Sequence, residues 1–208
     1  MLRARSDDAK DQRRQALLEA ALDEFFEKGF AATRMNDVAK RAGLSKGALY
    51  LYFDSKEAMF RALIETLTSP NLEQMEQIAA RSASIEQALA GLRAFAPVMI
   101  RQSDMPRLMK VVIGDSHLFP EIIRAYRVEL IERVIGLVAG VLEQAQARGE
   151  IEVDDPALTA RVVMAPVVLS AVWQAIFGRD PEAKVDLERL FEIHTSLMLK
   201  ALKPGGES

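Results

Sequence analysis

The chain has 208 residues, half of them hydrophobic, a formal net charge of −3, two histidines and no cysteine, which leaves room for one large domain or two small ones. The absence of cysteine excludes a disulfide framework and thiolate metal sites. Two isolated histidines do not make a ligand set either, so no metal and no cofactor is expected. The N-terminus, MLRARSDDAKDQRR, does not read as a signal peptide. No uncharged run of about eighteen apolar residues is visible, so a soluble, cytoplasmic protein without membrane contact is expected.

In chain order, residues 1–10 read as a frayed polar tail. A first helix is expected from about Asp11 to Lys28, with Leu18, Ala21, Leu22, Phe25 and Phe26 as its buried stripe and Gly29 as its stop. The next stretch, TRMNDVAKRAGLSKGALYLYFDSK from Thr33 to Lys56, reads as two short helices joined by a tight turn. Thr33 is the expected N-cap, and Met35, Val38, Ala39 and Ala42 recur at helical spacing. Gly43 stops that helix, Ser45 caps a second one through Tyr50, and Leu49 and Phe53 are its inward anchors. Asp54 with Glu57 three residues on has the capping-box pattern for a further helix. This is a helix-turn-helix, which lays its second helix in the DNA major groove.

The outward residues of that second helix fit the part. Gly47 and Ala48 let backbone approach base edges, while lysine and tyrosine hydroxyls are common phosphate-positioning groups. The expected DNA-contacting set is Thr33, Arg34, Ser45, Lys46, Gly47, Ala48, Tyr50, Tyr52 and Lys56, with Arg34, Gly47, Ala48 and Tyr50 nearest to base readout. Charge is distributed accordingly: residues 1–60 balance to +1, residues 31–56 to +3 and the chain beyond residue 60 to −4. A basic head and an acidic remainder are what a DNA-binding end attached to a non-contacting body requires.

The segment Gly29 to Phe60, GFAATRMNDVAKRAGLSKGALYLYFDSKEAMF, resembles the N-terminal domain of the tetracycline-repressor (TetR) transcriptional regulators. The likeness is carried by Thr33, Val38-Ala39, Ala42-Gly43, Ser45-Lys46-Gly47, Leu49-Tyr50 and Phe53-x-Ser55-Lys56-Glu57. The resemblance implies a homodimer that binds double-stranded operator DNA and releases it when a small molecule occupies the C-terminal domain. It also implies that the helix opened by Asp54 is the lever between the two parts.

That fourth helix is expected to break at Ser69-Pro70-Asn71. Beyond it the pattern is helical throughout: Ser84 to Arg101, Asp104 to Gly114, about Phe119 to Arg148, Pro156 to Phe177 and about Glu182 to Leu202. The expected fold is all-α with about nine helices. A three-helix helix-turn-helix head occupies residues 1–54, and a larger ligand-binding and dimerisation domain occupies residues 55–208.

Within that body, Phe95, Met99, Met105, Leu108, Met109, Val112, Trp173 and Phe177 are expected to line a cavity for a largely apolar small molecule, with His117 as a polar group. The Pro156–Phe177 helix is apolar nearly all round and must be covered on every side. With the last helix it suggests an isologous four-helix dimer interface through Val163, Val167, Ala171, Leu187, Leu190, Phe191, His194, Leu197 and Met198. Gly114-Asp115-Ser116-His117 superficially resembles a hydrolase nucleophile block, but it lacks the strand-to-helix turn that chemistry needs, so no enzyme is expected. Those four residues read as an interhelical turn with Asp115 or Ser116 as a cap. The main reading is a ligand-released repressor. The alternatives are an activator and a ligand- or protein-binding module whose head has changed its role.

Overall fold

The computed structural model describes residues 2–115 and 119–204, with side chains described from Asp8 onward. It is helical throughout, and no strand occurs among the described residues. The helices are α1 (Leu2–Lys28), α2 (Met35–Arg41), α3 (Lys46–Tyr50), α4 (Lys56–Arg81), α5 (Ile85–Gln102), α6 (Met105–Asp115), α7 (Pro120–Tyr126), α8 (Glu132–Ala147), α9 (Pro156–Phe177) and α10 (Leu187–Ala201). A π-turn at Arg127–Ile131 joins α7 to α8 without a break. Among the described residues the α-helices therefore make nine rods, as the sequence pattern predicts.

Several boundaries differ from expectation, each for a local reason. Helix α1 starts at Leu2, so the polar tail is helical rather than frayed. Thr33 is not the cap of α2: Arg34 holds the N-cap position with no side-chain bond. The Thr33 hydroxyl instead lies 2.8 Å from the Gly29 carbonyl and 3.0 Å from that of Glu24. The cap of α4 is Ser55, whose hydroxyl accepts from the Ala58 N–H at 3.0 Å, rather than Asp54. Helix α4 runs straight through Pro70, although proline supplies no N–H to the preceding turn. The last helix begins late, after a 3₁₀ turn at Pro181–Ala183, because Asp186 caps it through the Arg189 N–H.

The described chain forms two compact units. The first comprises Met1–Leu67 together with Arg107–Arg124, so most of α6 folds with the head rather than following a boundary at residues 54 and 55. Its core is α1 packed on α2, α3 and the start of α4, through fully buried Leu17, Leu18, Leu22, Phe25, Phe30, Leu49, Met59 and Leu63. Three aromatic rings cluster around Phe30: Phe25 at 4.9 Å, Phe60 at 5.0 Å and Phe119 at 4.2 Å between centroids.

The second unit comprises Thr68–Pro106 and Ala125–Ser208. In it α8 packs on α9, and α5 packs on α10, around buried Leu89, Ala96, Ile100, Leu142, Ala160, Val163, Ala171 and Phe191. Helix α9 is long and apolar enough, by length and composition, to cross a membrane. In this fold one side of it is core: Ala160, Val163, Met164, Val167, Ser170 and Ala171 are buried.

Candidate nucleic-acid interface

The helix-turn-helix is built by backbone chemistry that the sequence announces. After α2 the chain reverses at Gly43, which has φ +68°, a left-handed conformation that costs other residues more. Its N–H donates to the Lys40 carbonyl at 3.1 Å, and the Leu44 N–H donates to Ala39 at 2.9 Å. Ser45 then caps α3 by accepting from the Ala48 N–H at 3.1 Å. Leu49 and Phe53 are buried and hold the short helix down. The two helices are tied to α1 by Arg41, whose guanidinium bonds Glu24 at 2.8 Å and grips both oxygens of Glu27. Buried Glu24 is also approached by the Lys28 ammonium at 2.5 Å.

What remains outward on α3 is small or polar. Lys46, Gly47 and Tyr50 are exposed, and Ala48 and Tyr52 are half-buried. A Cβ on Gly47 would meet only the Ser45 hydroxyl, at 4.0 Å, so the backbone there lies open to a partner. The Lys46 ammonium stands 5.8 Å over the Tyr50 ring, a position that keeps its charge at the surface. Leu51, one residue past the helix, is among the most exposed large apolar residues at 82 %.

The structure brings together Arg34, Ser45, Lys46, Gly47, Ala48, Tyr50 and Tyr52 on or beside this surface, but gives two of the expected contacts other work. Thr33 is buried with its hydroxyl engaged internally. Lys56 turns inward: its ammonium donates to the carbonyls of Phe30 at 2.5 Å, Ala31 at 3.1 Å and Thr33 at 2.9 Å, and lies 4.6 Å from the Phe30 ring centroid. Burial pushes its pKa below the usual lysine value, while Glu57 and Asp115 act to raise it.

Of the five basic residues between positions 31 and 56, Arg41 and Lys56 are thus consumed by the head itself. Arg34, Lys40 and Lys46 are exposed and form no hydrogen bond or ion pair among the described residues. Lys40 was not in the expected set. Its exposed place at the end of α2 follows from the same helical spacing that buries Val38 and Ala39.

The ligand-site expectation meets a different cavity. A space of about 60 Å³ lies inside the second unit, lined by fourteen residues that are all apolar, from α4 (Met75, Ile78, Ala79), α5 (including Leu89, Leu92 and Phe95), α8 (including Leu137 and Val141) and α9 (Val163, Met164). Of the expected pocket residues only Phe95 lines it. Met105 and Leu108 are buried elsewhere, Met99 and Met109 are half-buried, and Val112 packs in the Phe30–Phe60–Phe119 cluster of the first unit. Trp173 and Phe177 meet as tilted rings with centroids 4.6 Å apart but lie about two-fifths exposed, and the Trp173 indole donates to the Ala183 carbonyl at 2.8 Å. His117 lies outside the described residues.

The expected dimer seam is also redistributed. Val163, Val167, Ala171, Leu187 and Phe191 are buried inside the second unit. His194 is half-buried with Nε2 2.9 Å from the Val163 carbonyl, and Leu190 and Met198 are half-buried. Only Leu197 is well exposed. The uncovered apolar face shares Leu197 with that seam but otherwise runs over Leu158, Val162, Leu169, Trp173 and Ile176 of α9 and Ile193 of α10.

These features define a class: a helix-turn-helix protein with an exposed recognition helix and an all-helical body. Residues 17–63 match the family described as "Bacterial regulatory proteins, tetR family", and residues 87–190 match the "AefR-like transcriptional repressor, C-terminal domain". The chain belongs to the TetR family of transcriptional regulators.

Among its relatives, the transcriptional repressor KstR2 of Rhodococcus jostii is 27 % identical over 196 residues, covering 93 % of this chain and 92 % of that protein. The regulator YfiR of Bacillus subtilis is 38 % identical over 97 residues, 43 % of this chain. That match spans 47 % of YfiR, and matches to some other Bacillus subtilis regulators span smaller shares. A solved structure of a SmeT–triclosan complex has a similar fold, with a TM-score of 0.75 at 21 % identity over 94 % of this chain and 93 % of that one.

Proposed function

We propose that the protein is a cytoplasmic, homodimeric repressor that binds palindromic double-stranded operator DNA and is released by a small apolar molecule. The observation that carries the DNA reading is the face of α3. Its inward side is fully buried at Leu49, while Lys46, Gly47 and Tyr50 are left free at the surface. Helix-turn-helix dimers read two half-sites about one turn of DNA apart, which supports a two-fold partner. The stripe Leu158, Val162, Leu169, Trp173 and Ile176 supports an α9–α10 four-helix interface, since these residues recur at three-, four- and seven-residue spacing and are uncovered,.

The ligand reading is supported by the apolar cavity of the second unit and by triclosan bound to SmeT. At about 60 Å³ the space is smaller than the ~150 Å³ apolar cavity that admits benzene. A ligand would therefore have to displace Met75 or Met164, side chains that repack easily. With no polar side chain in the lining, a charged ligand group buried there would be uncompensated. The mechanism is a population shift: a ligand that prefers the conformation with the two recognition helices off the operator spacing lowers DNA affinity roughly 5–150-fold, for a coupling of about 1–3 kcal/mol.

The deciding experiment is selection of bound sequences from a random duplex pool by the purified chain. Enrichment of a palindrome with half-sites one helical turn apart is the expected result. A folded dimer that enriches nothing at low salt would remove the DNA role. An enriched operator then serves to screen neutral apolar molecules for release.

A further inference from the structure

We infer that Asp115 is a positioning residue for DNA binding: together with Lys56 it holds the Gly29–Thr33 turn, and hence the start of α2, in the geometry an operator selects. The inference rests on the operator-binding reading and adds the part of the chain that sets the geometry of the head.

The turn is gripped on both of its chemical sides. Lys56, the first residue of α4, donates to the carbonyls of Phe30, Ala31 and Thr33, which matches the three protons an ammonium carries. Asp115, the last residue of α6, accepts from the Phe30 N–H at 2.7 Å. Gly29 turns the chain there with φ +80°, and a Cβ on it would make only ordinary contact with the carboxylate, 3.4 Å from Asp115 Oδ2. The rest of α6 is registered along α1, since Arg107 pairs with Asp23 and the Lys110 ammonium lies 4.1 Å from the Phe26 ring centroid.

The turn delivers the chain directly to α2, whose N-cap residue Arg34 makes no side-chain cap bond. A helix without a cap of its own takes its starting position from what holds the residues before it. Here those holds come from α4 and α6, and α6 belongs in sequence to the stretch 87–190 matched by the C-terminal domain. Asp115 is thus a point at which that stretch bears on the start of the helix-turn-helix.

The test uses the full chain, its selected operator and a random duplex of equal length. Asp115→Ala is expected to lower operator affinity about tenfold, the scale of one lost part-buried hydrogen bond to a carboxylate. Affinity for the random duplex and the salt slope should be unchanged, because the phosphate contacts are intact. Asp115→Asn keeps an oxygen that can accept from the Phe30 N–H and should restore operator affinity to within about threefold of the wild type.

An unchanged operator-to-random ratio in Asp115→Ala overturns the proposal, as does an equal loss on both duplexes, which would mark a purely structural role. Should Asp115→Ala fail to fold, amide exchange at Phe30 in the wild type decides: slower exchange with operator bound supports the clamp, and unchanged exchange overturns it. A wild type that enriches no sequence overturns the DNA reading and this proposal together, whereas a selecting wild type with an indifferent Asp115→Ala overturns Asp115 alone.

Discussion

Helices α3 and α9 each leave a face uncovered, and the two faces differ in kind. That of α3 is five residues long, carries a lysine, a glycine and a tyrosine, and sits on a fully buried leucine. That of α9 extends over most of twenty-two residues and is apolar, with Leu169 67 % exposed. An apolar stripe of that length gains by leaving water against another apolar surface, at roughly 25 cal/mol for each Å². The small polar face of α3 gains little from burial as such and is matched instead to hydrogen bonds and phosphate charge. Exposure alone says that a partner is missing; the chemistry of the exposed atoms says which kind.

The comparison breaks most visibly at Leu169. Leu169→Asp places a charge in the α9 stripe, and the expected result is a monomer by sedimentation with operator affinity reduced at least about 100-fold, since half-site binding by one head is weak. A dimer that survives this change would place the interface elsewhere. The opposite side of the same helix should behave differently. Val163→Ala removes a buried side chain at the cavity wall and should cost about 1–3 kcal/mol in denaturant unfolding while leaving the dimer intact. Loss of dimer in that variant would mean that the two sides of α9 are not separable.

On the head, Lys56→Met leaves three carbonyls without their donor. It should lower stability by about 1–2 kcal/mol without reducing the salt slope of DNA binding. A slope reduced by one would return Lys56 to the phosphate contacts. Lys46→Ala is the smallest effect expected: a few-fold weaker binding to every duplex, a salt slope lower by about one and an unchanged unfolding midpoint. Equal slopes in Lys46→Ala and the wild type would remove Lys46 from the interface and reduce the contrast between α3 and α9 to one of size.

Much of this was readable from residue order. The Gly43 stop and the Ser45 cap are realised as hydrogen bonds between neighbours in the chain, because caps and turns satisfy backbone groups within three or four residues. The inward anchors Leu49 and Phe53 follow from helical periodicity. Arg41, by contrast, looks as available as Lys46 in sequence, and only the fold shows its guanidinium bound to Glu24 and Glu27 of α1. Trp173 and Phe177 look like pocket aromatics and turn out to lie at the surface. Periodicity says that a side chain shares a face with others, but not what lies opposite that face.

By itself the sequence determined the helix-turn-helix, the all-helical body, the nine rods and the membership of a regulator family, all properties written in local capping, short-range spacing and a contiguous motif. Tertiary structure alone decided which charges remain free, which side of α9 is core, where the apolar cavity lies and that α6 folds with the head. Each of those depends on contacts between residues far apart in the chain, such as Asp115 with Phe30 or His194 with the Val163 carbonyl. An amphipathic pattern constrains which faces are buried without naming the neighbour that buries them.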